Sequence, residues 1–170
     1  MTRGREDWVD QFAAAWEREY PDRDTSSLLL VTRLARLSEL IDAFQEEVLE
    51  PFDLTRNDYA VLAALRRAGP PYEMAPSKLY SDLERSSGGM TKMMKRLEKL
   101  GLVKRSPDPE DGRSTLAALT PSGFRVEEEV FKVFLSGTHD LLDPVSAAKL
   151  EAIDGSLRSL LEAIEGHFYR

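Results

Sequence analysis

The chain contains no cysteine, which excludes a disulfide framework, a cysteine-ligated metal site and a redox sensor that works through a thiol. Only two histidines occur, His139 and His167, and they are not spaced like metal ligands. The sequence also has no Gly-x-Ser-x-Gly nucleophile elbow and no phosphate-binding glycine loop. These absences argue against an enzyme, and only turnover of a substrate would favour one.

Long apolar runs are absent as well. The longest run of leucine, isoleucine and valine covers residues 28–31, whereas a helix that crosses a bilayer needs about 20 apolar residues. No secretory segment is recognisable, so we expect a cytoplasmic protein. Hydrophobic residues make up 42% of the 170 residues. That fraction is enough for one compact domain, or for one domain with long helical extensions.

An amphipathic helix is predicted between residues 86 and 101. Ser86 or Ser87 can cap its start, and Gly101 stands where a C′ glycine would end it. Such a helix can pack one face on a core and present the other to DNA. An ordinary amphipathic helix with a solvated lysine face is the alternative. The apolar face comprises Met90, Met93, Met94, Leu97 and Leu100, and the opposite face carries Lys92, Lys95 and Lys99 with Arg96 at its flank.

A hairpin is predicted directly after this helix. Residues 102–105 and 114–119 form strand-like runs, and the residues between them are rich in turn formers. In that mostly acidic loop, Asp111 is two residues from Arg113 and can hold its guanidinium in one direction. An arginine held at a loop tip suits a narrow minor groove, where the negative potential of DNA is strongest. The alternative is a solvated turn with a local ion pair.

A short helix is predicted upstream, over residues 75–83 with Pro76 near its start. Short helix, turn, longer helix and two-stranded wing together make a winged helix-turn-helix. Residues 75–125 carry ten lysines and arginines against six acidic residues, although the whole chain has a net charge of −7. A basic patch on an acidic body suits a protein that contacts DNA with one surface. A helical protein–protein interaction module without DNA binding is the alternative, and it would not need these basic side chains.

The stretch from Leu54 to Val126 resembles the MarR family of transcriptional regulators. The matching segments are LTRNDYAVL at 54–62, GPP at 69–71, MT at 90–91, RLEKLGLV at 96–103 and DPEDGRS at 108–114. The family's wing carries Asp-x-Arg and a small residue, here 111–114, and is usually followed by Leu-Thr-x-x-Gly, here 119–123. The resemblance implies a mainly α fold with a small β-wing, in which a winged helix-turn-helix lobe is flanked by long N- and C-terminal dimerisation helices.

The resemblance also implies a homodimer that binds double-stranded DNA and is often released from it by a small aromatic ligand. We therefore predict a sequence-specific transcriptional regulator that acts as a ligand-responsive repressor, with no metal and no cofactor apart from such an effector. The candidate DNA-binding residues lie on the lysine-bearing helix and in the wing: Ser87, Thr91, Lys92, Lys95, Arg96, Lys99, Asp111 and Arg113.

The flanking segments have the pattern of long helices. Apolar residues at helical spacing predict helices over 6–20, from 25 or 26 to 49, over 123–141 and over 144–168. A chain this short offers them few partners, so we expect them to pack on a second copy in a two-fold dimer. The predicted division is 1–50 for dimerisation and a ligand pocket, 51–125 for DNA binding and 126–170 for dimerisation. The target would be a pseudo-palindrome with half-sites about one helical turn apart.

Trp16, Tyr20 and Tyr59 are candidate contacts for an aromatic ligand, with packing in the core as the alternative. The segment WEREYPD at 16–22 is similar to the extra N-terminal helix of a MarR branch that includes urate-responsive regulators. In that branch an acidic residue follows the aromatic matched by Tyr59, whereas Ala60 stands here. This departure argues against urate itself and leaves another small aromatic effector open.

Overall fold

The computed structural model describes residues 8–83, 87–108 and 115–168, and at residues 87, 88 and 90 it describes the backbone alone. Within these ranges the chain is mainly helical with a small sheet, as predicted. None of the described helices is long and apolar enough to cross a membrane. The elements are α1 (Trp8–Glu19), α2 (Ser26–Leu49), a 3-10 helix (Glu50–Phe52), α3 (Arg56–Arg67), β1 (Glu73–Met74), α4 (Pro76–Asp82), α5 (Ser87–Lys99), β2 (Val103–Pro107), β3 (Thr115–Leu119), α6 (Pro121–Leu142) and α7 (Ala147–Phe168).

The chain divides into two compact units, one up to Glu127 and one from Glu128 onward. The first unit contains α1 to α5, the sheet and the first two turns of α6, and the second contains the remainder of α6 and α7. In the first unit α1 buries Val9 and Ala13 and packs on α2. The predicted helices over 6–20 and 26–49 are therefore confirmed in the part of the chain that the structure describes.

A capping box begins α3. The hydroxyl of Thr55 accepts a hydrogen bond from the backbone N–H of Asp58 at 3.1 Å. In return the Asp58 carboxylate accepts one from the N–H of Thr55 at 3.0 Å. Two backbone donors that the helix cannot satisfy internally are thus satisfied by side chains, which fixes where α3 starts.

The three strands form one antiparallel sheet in the order β1-β3-β2. The predicted hairpin is confirmed, with Val103 opposite Leu119 and Pro107 opposite Thr115. On its other edge β3 pairs with β1, where Glu73 lies opposite Ala118. The sequence did not predict β1, because a strand of two residues is too short to show alternation.

The core of the first unit joins four elements of the winged helix-turn-helix. Leu62 and Leu65 of α3, Leu79 of α4, Leu97 of α5 and Val103 of β2 are all fully buried. Burial of an aliphatic side chain of this size stabilises a fold by about 1.5–3 kcal/mol. These contacts hold α5 in a fixed position on the unit, and the other faces of the helix remain on the surface.

Apolar surface remains exposed in the second unit. No residue of α7 is buried. Exposed apolar side chains on two consecutive helices indicate a protein–protein interface. The helix predicted over 144–168 begins at Ala147, because the residues before it turn, with the N–H of Val145 bonded to the carbonyl of Leu142 at 2.9 Å. The side chains more than one-third exposed are Phe131, Val133, Leu135, Leu141 and Leu142 on α6 and Ile153, Leu157, Leu161, Ile164 and Phe168 on α7.

Candidate nucleic-acid interface

Helices α4 and α5 form the predicted helix-turn-helix, and the turn between them, residues 84–86, lies outside the described part of the chain. Helix α5 buries Met94 and Leu97, which confirms the predicted apolar face at these positions. Leu100 was assigned to the same face but is 38% exposed. Leu100 directly follows the last residue of α5, and at about 100° per residue it lies about 120° around the helix axis from Met94, at the edge of the buried face.

The lysine face of α5, formed by Lys92, Lys95 and Lys99, is exposed along its length. Among the described residues none of these three lysines forms a salt bridge, so their charges are available to a partner. Thr91 is exposed one position before Lys92. Ser87 is the first residue of α5, and the structure describes only its backbone. Lysine side chains on one exposed helix face can contact the phosphates and base edges of a DNA groove.

The C-terminal end of α5 is closed by a Schellman motif. Gly101 has a positive φ of 69°, a left-handed conformation that favours glycine. Its N–H bonds to the carbonyl of Glu98 at 3.0 Å, and the N–H of Leu102 bonds to that of Leu97 at 3.0 Å. The predicted C′ glycine is therefore confirmed, and the direction of the chain from α5 into β2 is fixed.

Arg96 is engaged within the first unit. Its Nε donates to the Asp58 carboxylate at 3.1 Å, and its Nη2 donates to the backbone carbonyl of Asp53 at 2.7 Å. The hydrogen bond to Asp58 and the charge of that carboxylate raise the pKa of Arg96. The sequence placed Arg96 among the DNA-binding residues, but these donors are used to tie α5 to the start of α3. The partners lie 38 and 43 residues away in the chain, so no local pattern indicated them.

Asp58 is the residue of this site that the sequence did not single out. It is 1% exposed, and the same carboxylate oxygen that accepts from Arg96 also accepts from the Thr55 hydroxyl at 2.7 Å. The available signal was the Thr-x-x-Asp spacing of a capping box, which predicts a helix start but not a distant arginine partner.

A cleft of about 580 Å³ separates the start of α3 from the first half of α5. Arg96, Asp58 and Lys92 all line it. Because Lys92 is among its lining residues, the cleft borders the lysine face. Its lining residues are Thr55, Asn57, Asp58, Gly89, Lys92, Met93 and Arg96.

The structure describes the two strands of the wing but not its tip. Residues 109–114 lie outside the described ranges, and with them the predicted pair of Asp111 and Arg113. The base of the wing is tied to α5, since Nε of Arg105 on β2 donates to the Glu98 carboxylate at 2.7 Å. The wing therefore leaves the body of the unit from a strand that is fixed to the lysine-bearing helix.

The aromatic candidates occupy two places. On α1 the rings of Trp8, Phe12, Trp16 and Tyr20 form a ladder, and Trp16 stacks on Tyr20 with ring centroids 5.6 Å apart. Both Trp16 and Tyr20 remain partly exposed, at 37% and 51%. Tyr59 lies on α3 and is half-buried. Burial, with the nearby charge of Glu127, raises the pKa of the Tyr59 phenol to about 12. Among the described ring contacts Trp16 meets Tyr20 and not Tyr59.

Comparison with known proteins finds similar transcriptional regulators. A sequence profile of the MarR family matches residues 54–115. The HTH-type transcriptional regulator PecS of Dickeya dadantii is 33% identical over 159 residues, covering 94% of this chain and 93% of that protein. The multiple antibiotic resistance protein MarR of Escherichia coli is 29% identical over 133 residues, covering 75% and 90%.

Solved structures share this fold. AbsC, a MarR family transcriptional regulator from Streptomyces coelicolor, superposes with a TM-score of 0.71 at 26% identity, covering 85% of this chain and 97% of that one. A mutant MarR from Escherichia coli complexed with operator DNA superposes with a TM-score of 0.69 at 26% identity, covering 82% and 99%.

Proposed function

Because this chain belongs to the MarR family of transcriptional regulators, we propose that it is a ligand-responsive repressor that binds a pseudo-palindromic operator as a homodimer. The observation that carries this function is the exposed lysine face of α5, set on a buried Met94 and Leu97 and followed by a wing. The alternative of an interaction module gives no reason for three lysines without salt bridges on the second helix of a helix-turn-helix.

Helix α5 enters the major groove in this proposal. Recognition helices contact bases mainly with their N-terminal residues, so Ser87, Thr91 and Lys92 lie deepest. Lys95 and Lys99 follow along the same helix and contact phosphates. The cleft between α3 and α5 lies beside Lys92, which makes it suitable for a backbone phosphate.

Arg96 acts in this mechanism as a positioning residue. Its bonds to Asp58 and Asp53 hold α5 at a fixed angle to α3. Any contact of Arg96 with DNA would use the donors that these bonds leave over, since guanidinium carries five N–H groups.

The wing tip reads the minor groove. Asp111 orients Arg113 by an ion pair, and the arginine enters where a narrow groove concentrates negative potential. The support for this role is β2, the strand that leads toward the tip, because Arg105 on that strand is tied to α5.

The dimer is formed by the terminal segments, residues 1–50 and 126–170, while residues 51–125 bind DNA. The exposed apolar side chains of α6 and α7 support this division, since a second copy would remove them from water. A two-fold dimer places its two α5 helices in successive major grooves, about one helical turn apart.

A small aromatic effector binds in the N-terminal segment. The exposed faces of Trp16 and Tyr20 support this site, and Tyr59 is a further candidate contact. No metal, cofactor or catalytic reaction is needed for this function, and the protein works in the cytoplasm. A ligand that releases operator DNA should quench Trp16 fluorescence. If Trp16→Phe leaves both quenching and release unchanged, the effector binds elsewhere.

Selection of bound DNA from a random pool tests the proposed function, followed by filter binding at increasing salt. We expect one recovered pseudo-palindrome. A dimer that makes about 8 phosphate contacts should give a slope of log affinity against log salt of about −7. Recovery of no common sequence, together with a slope near zero, would rule out DNA binding by the lysine face.

A further inference from the structure

The start of α6 is bonded to the turn after α5 through one residue, Thr120. The Thr120 Oγ1 donates to the carbonyl of Gly101 at 2.6 Å and accepts from the N–H of Gly123 at 2.9 Å. The backbone N–H of Thr120 also donates to the carbonyl of Leu102 at 3.1 Å. Thr120 is thus the N-cap of α6 and at the same time a partner of the turn that closes α5.

Gly123 allows the first turn of α6 to lie close to the turn that follows α5. A Cβ atom at position 123 would lie 1.9 Å from the backbone oxygen of Leu102, a distance that no real contact allows. The obstacle is backbone and cannot swing away as a flexible side chain would. The need for glycine here therefore comes from the packing of α6 on the turn after α5.

The second turn of α6 is fixed as well, to a different part of the first unit. The guanidinium of Arg66 on α3 lies over the Phe124 ring, 3.5 Å from its centroid. The Nε of Arg66 pairs with the buried Glu127 carboxylate at 3.4 Å, and Phe124 also packs edge-on against Tyr72. The first two turns of α6 therefore cannot rotate independently of α3 and α5.

We propose that Thr120 and Gly123 are positioning residues that fix the angle between α5 and α6 and thereby set the half-site spacing the dimer accepts. This inference rests on the proposed function. Helix α6 is continuous to Leu142, and the exposed apolar side chains of its later turns belong to the proposed dimer interface. A change of angle at its first turn therefore alters the separation of the two α5 helices. The Leu-Thr-x-x-Gly pattern at 119–123 then has a mechanical purpose, because it supplies both the hydroxyl and the missing side chain.

The experiment measures affinity for a series of operators, derived from the selected site, in which the distance between half-sites is varied one base pair at a time. Thr120→Val removes the hydroxyl and keeps the shape of the side chain, whereas Thr120→Ser keeps the hydroxyl. Ser122→Ala is the matched control for Gly123→Ala, because it places an alanine at the neighbouring, exposed position of the same turn of α6. Sedimentation and thermal unfolding establish that each variant is a folded dimer.

Wild type, Thr120→Ser and Ser122→Ala should share one sharp spacing optimum. Thr120→Val should lose about tenfold in affinity at that optimum, the equivalent of about 1.4 kcal/mol, and lose much less at neighbouring spacings. Gly123→Ala should shift the optimum or abolish it. If Gly123→Ala fails to fold, the difference between the spacing profiles of Thr120→Val and Thr120→Ser still tests the proposal.

Two results would overturn the inference and leave the proposed function intact. One is a spacing profile of Thr120→Val that matches the wild-type profile. The other is an equal loss at every spacing, which indicates that Thr120 only stabilises the fold. If the wild-type protein binds no selected DNA at all, the proposed function itself fails, and this inference fails with it.

Discussion

At the scale of single residues, one carboxylate oxygen of Asp58 accepts three hydrogen bonds, two from Thr55 and one from Arg96. The side chain is buried, and a buried carboxylate is tolerated only when donors satisfy it. The donors come from the start of α3 and the middle of α5. Asp58, which lies outside the lysine face, therefore fixes the position of that face.

Asp58→Asn should lower the free energy of unfolding by about 1–3 kcal/mol, because buried donors lose a charged acceptor. Chemical denaturation at neutral pH measures this loss. The matched control is Glu98→Gln, which removes the negative charge of the acceptor in the more exposed pair with Arg105 and should cost under about 1 kcal/mol. Equal losses for the two variants would mean that Asp58 has no special part in holding α5.

Tyr59 gives the protein a dependence on alkaline pH. Its pKa of about 12 in the folded state lies above the ordinary value of 10.0, so burial opposes formation of the phenolate. The stability that un-ionised Tyr59 contributes is fully present below the pKa of the unfolded chain, 10.0. It is lost as the pH rises through the pKa of the folded protein, about 12. Ultraviolet titration of wild type minus Tyr59→Phe should show one phenol that ionises near pH 12. A difference spectrum centred near pH 10 would contradict the assigned burial.

At the scale of elements, the sequence predicted what repeats locally and missed what depends on distant partners. Helical spacing found α2 and α5, and Gly101 marked the end of α5. The hairpin was visible from its turn formers, whereas β1 exists only because β3 offers it an edge. In the candidate site the lysines were predictable from periodicity. The engagement of Arg96 was not, because burial of Asp58 is a property of the folded unit.

Helix α5 and the wing should contribute to DNA binding in different ways. Lys92→Ala should weaken binding more than Lys99→Ala, because the N-terminal part of a recognition helix contacts bases. Arg113→Ala should cost about 1–3 kcal/mol and relax discrimination only at the base pairs beneath the wing. The measurement is a binding series on operators altered at one base pair at a time. Equal losses at every position for all three variants would mean that these side chains supply only diffuse charge.

At the scale of the whole molecule, a basic surface and an apolar surface belong to different parts of the chain. The lysine face lies in the first unit, and the exposed apolar side chains of α7 lie in the second. The net charge of −7 keeps the remainder of the protein away from DNA, so binding depends on one surface.

Replacing Leu157 and Leu161 of α7 together by Asp should prevent dimerisation. These side chains are 43% and 56% exposed in the single chain, and charges there would be buried in an apolar interface at a cost of several kcal/mol. Sedimentation of the purified variant should give the mass of one chain. Replacing the exposed Glu151 and Arg158 of the same helix by Gln is the control and should leave the dimer intact. A well-folded double Asp variant that remains dimeric would exclude α7 from the interface.

The absence of any buried residue in α7 has a consequence for gene dosage. If the second unit is covered only by a second copy of the chain, the form of the protein that binds the operator is the dimer. When the protein is scarce, the number of pairs varies with the square of the number of chains, as mass action requires. Halving the synthesis of such a regulator would then leave about a quarter of the pairs, so the genes it controls would respond steeply to its own abundance.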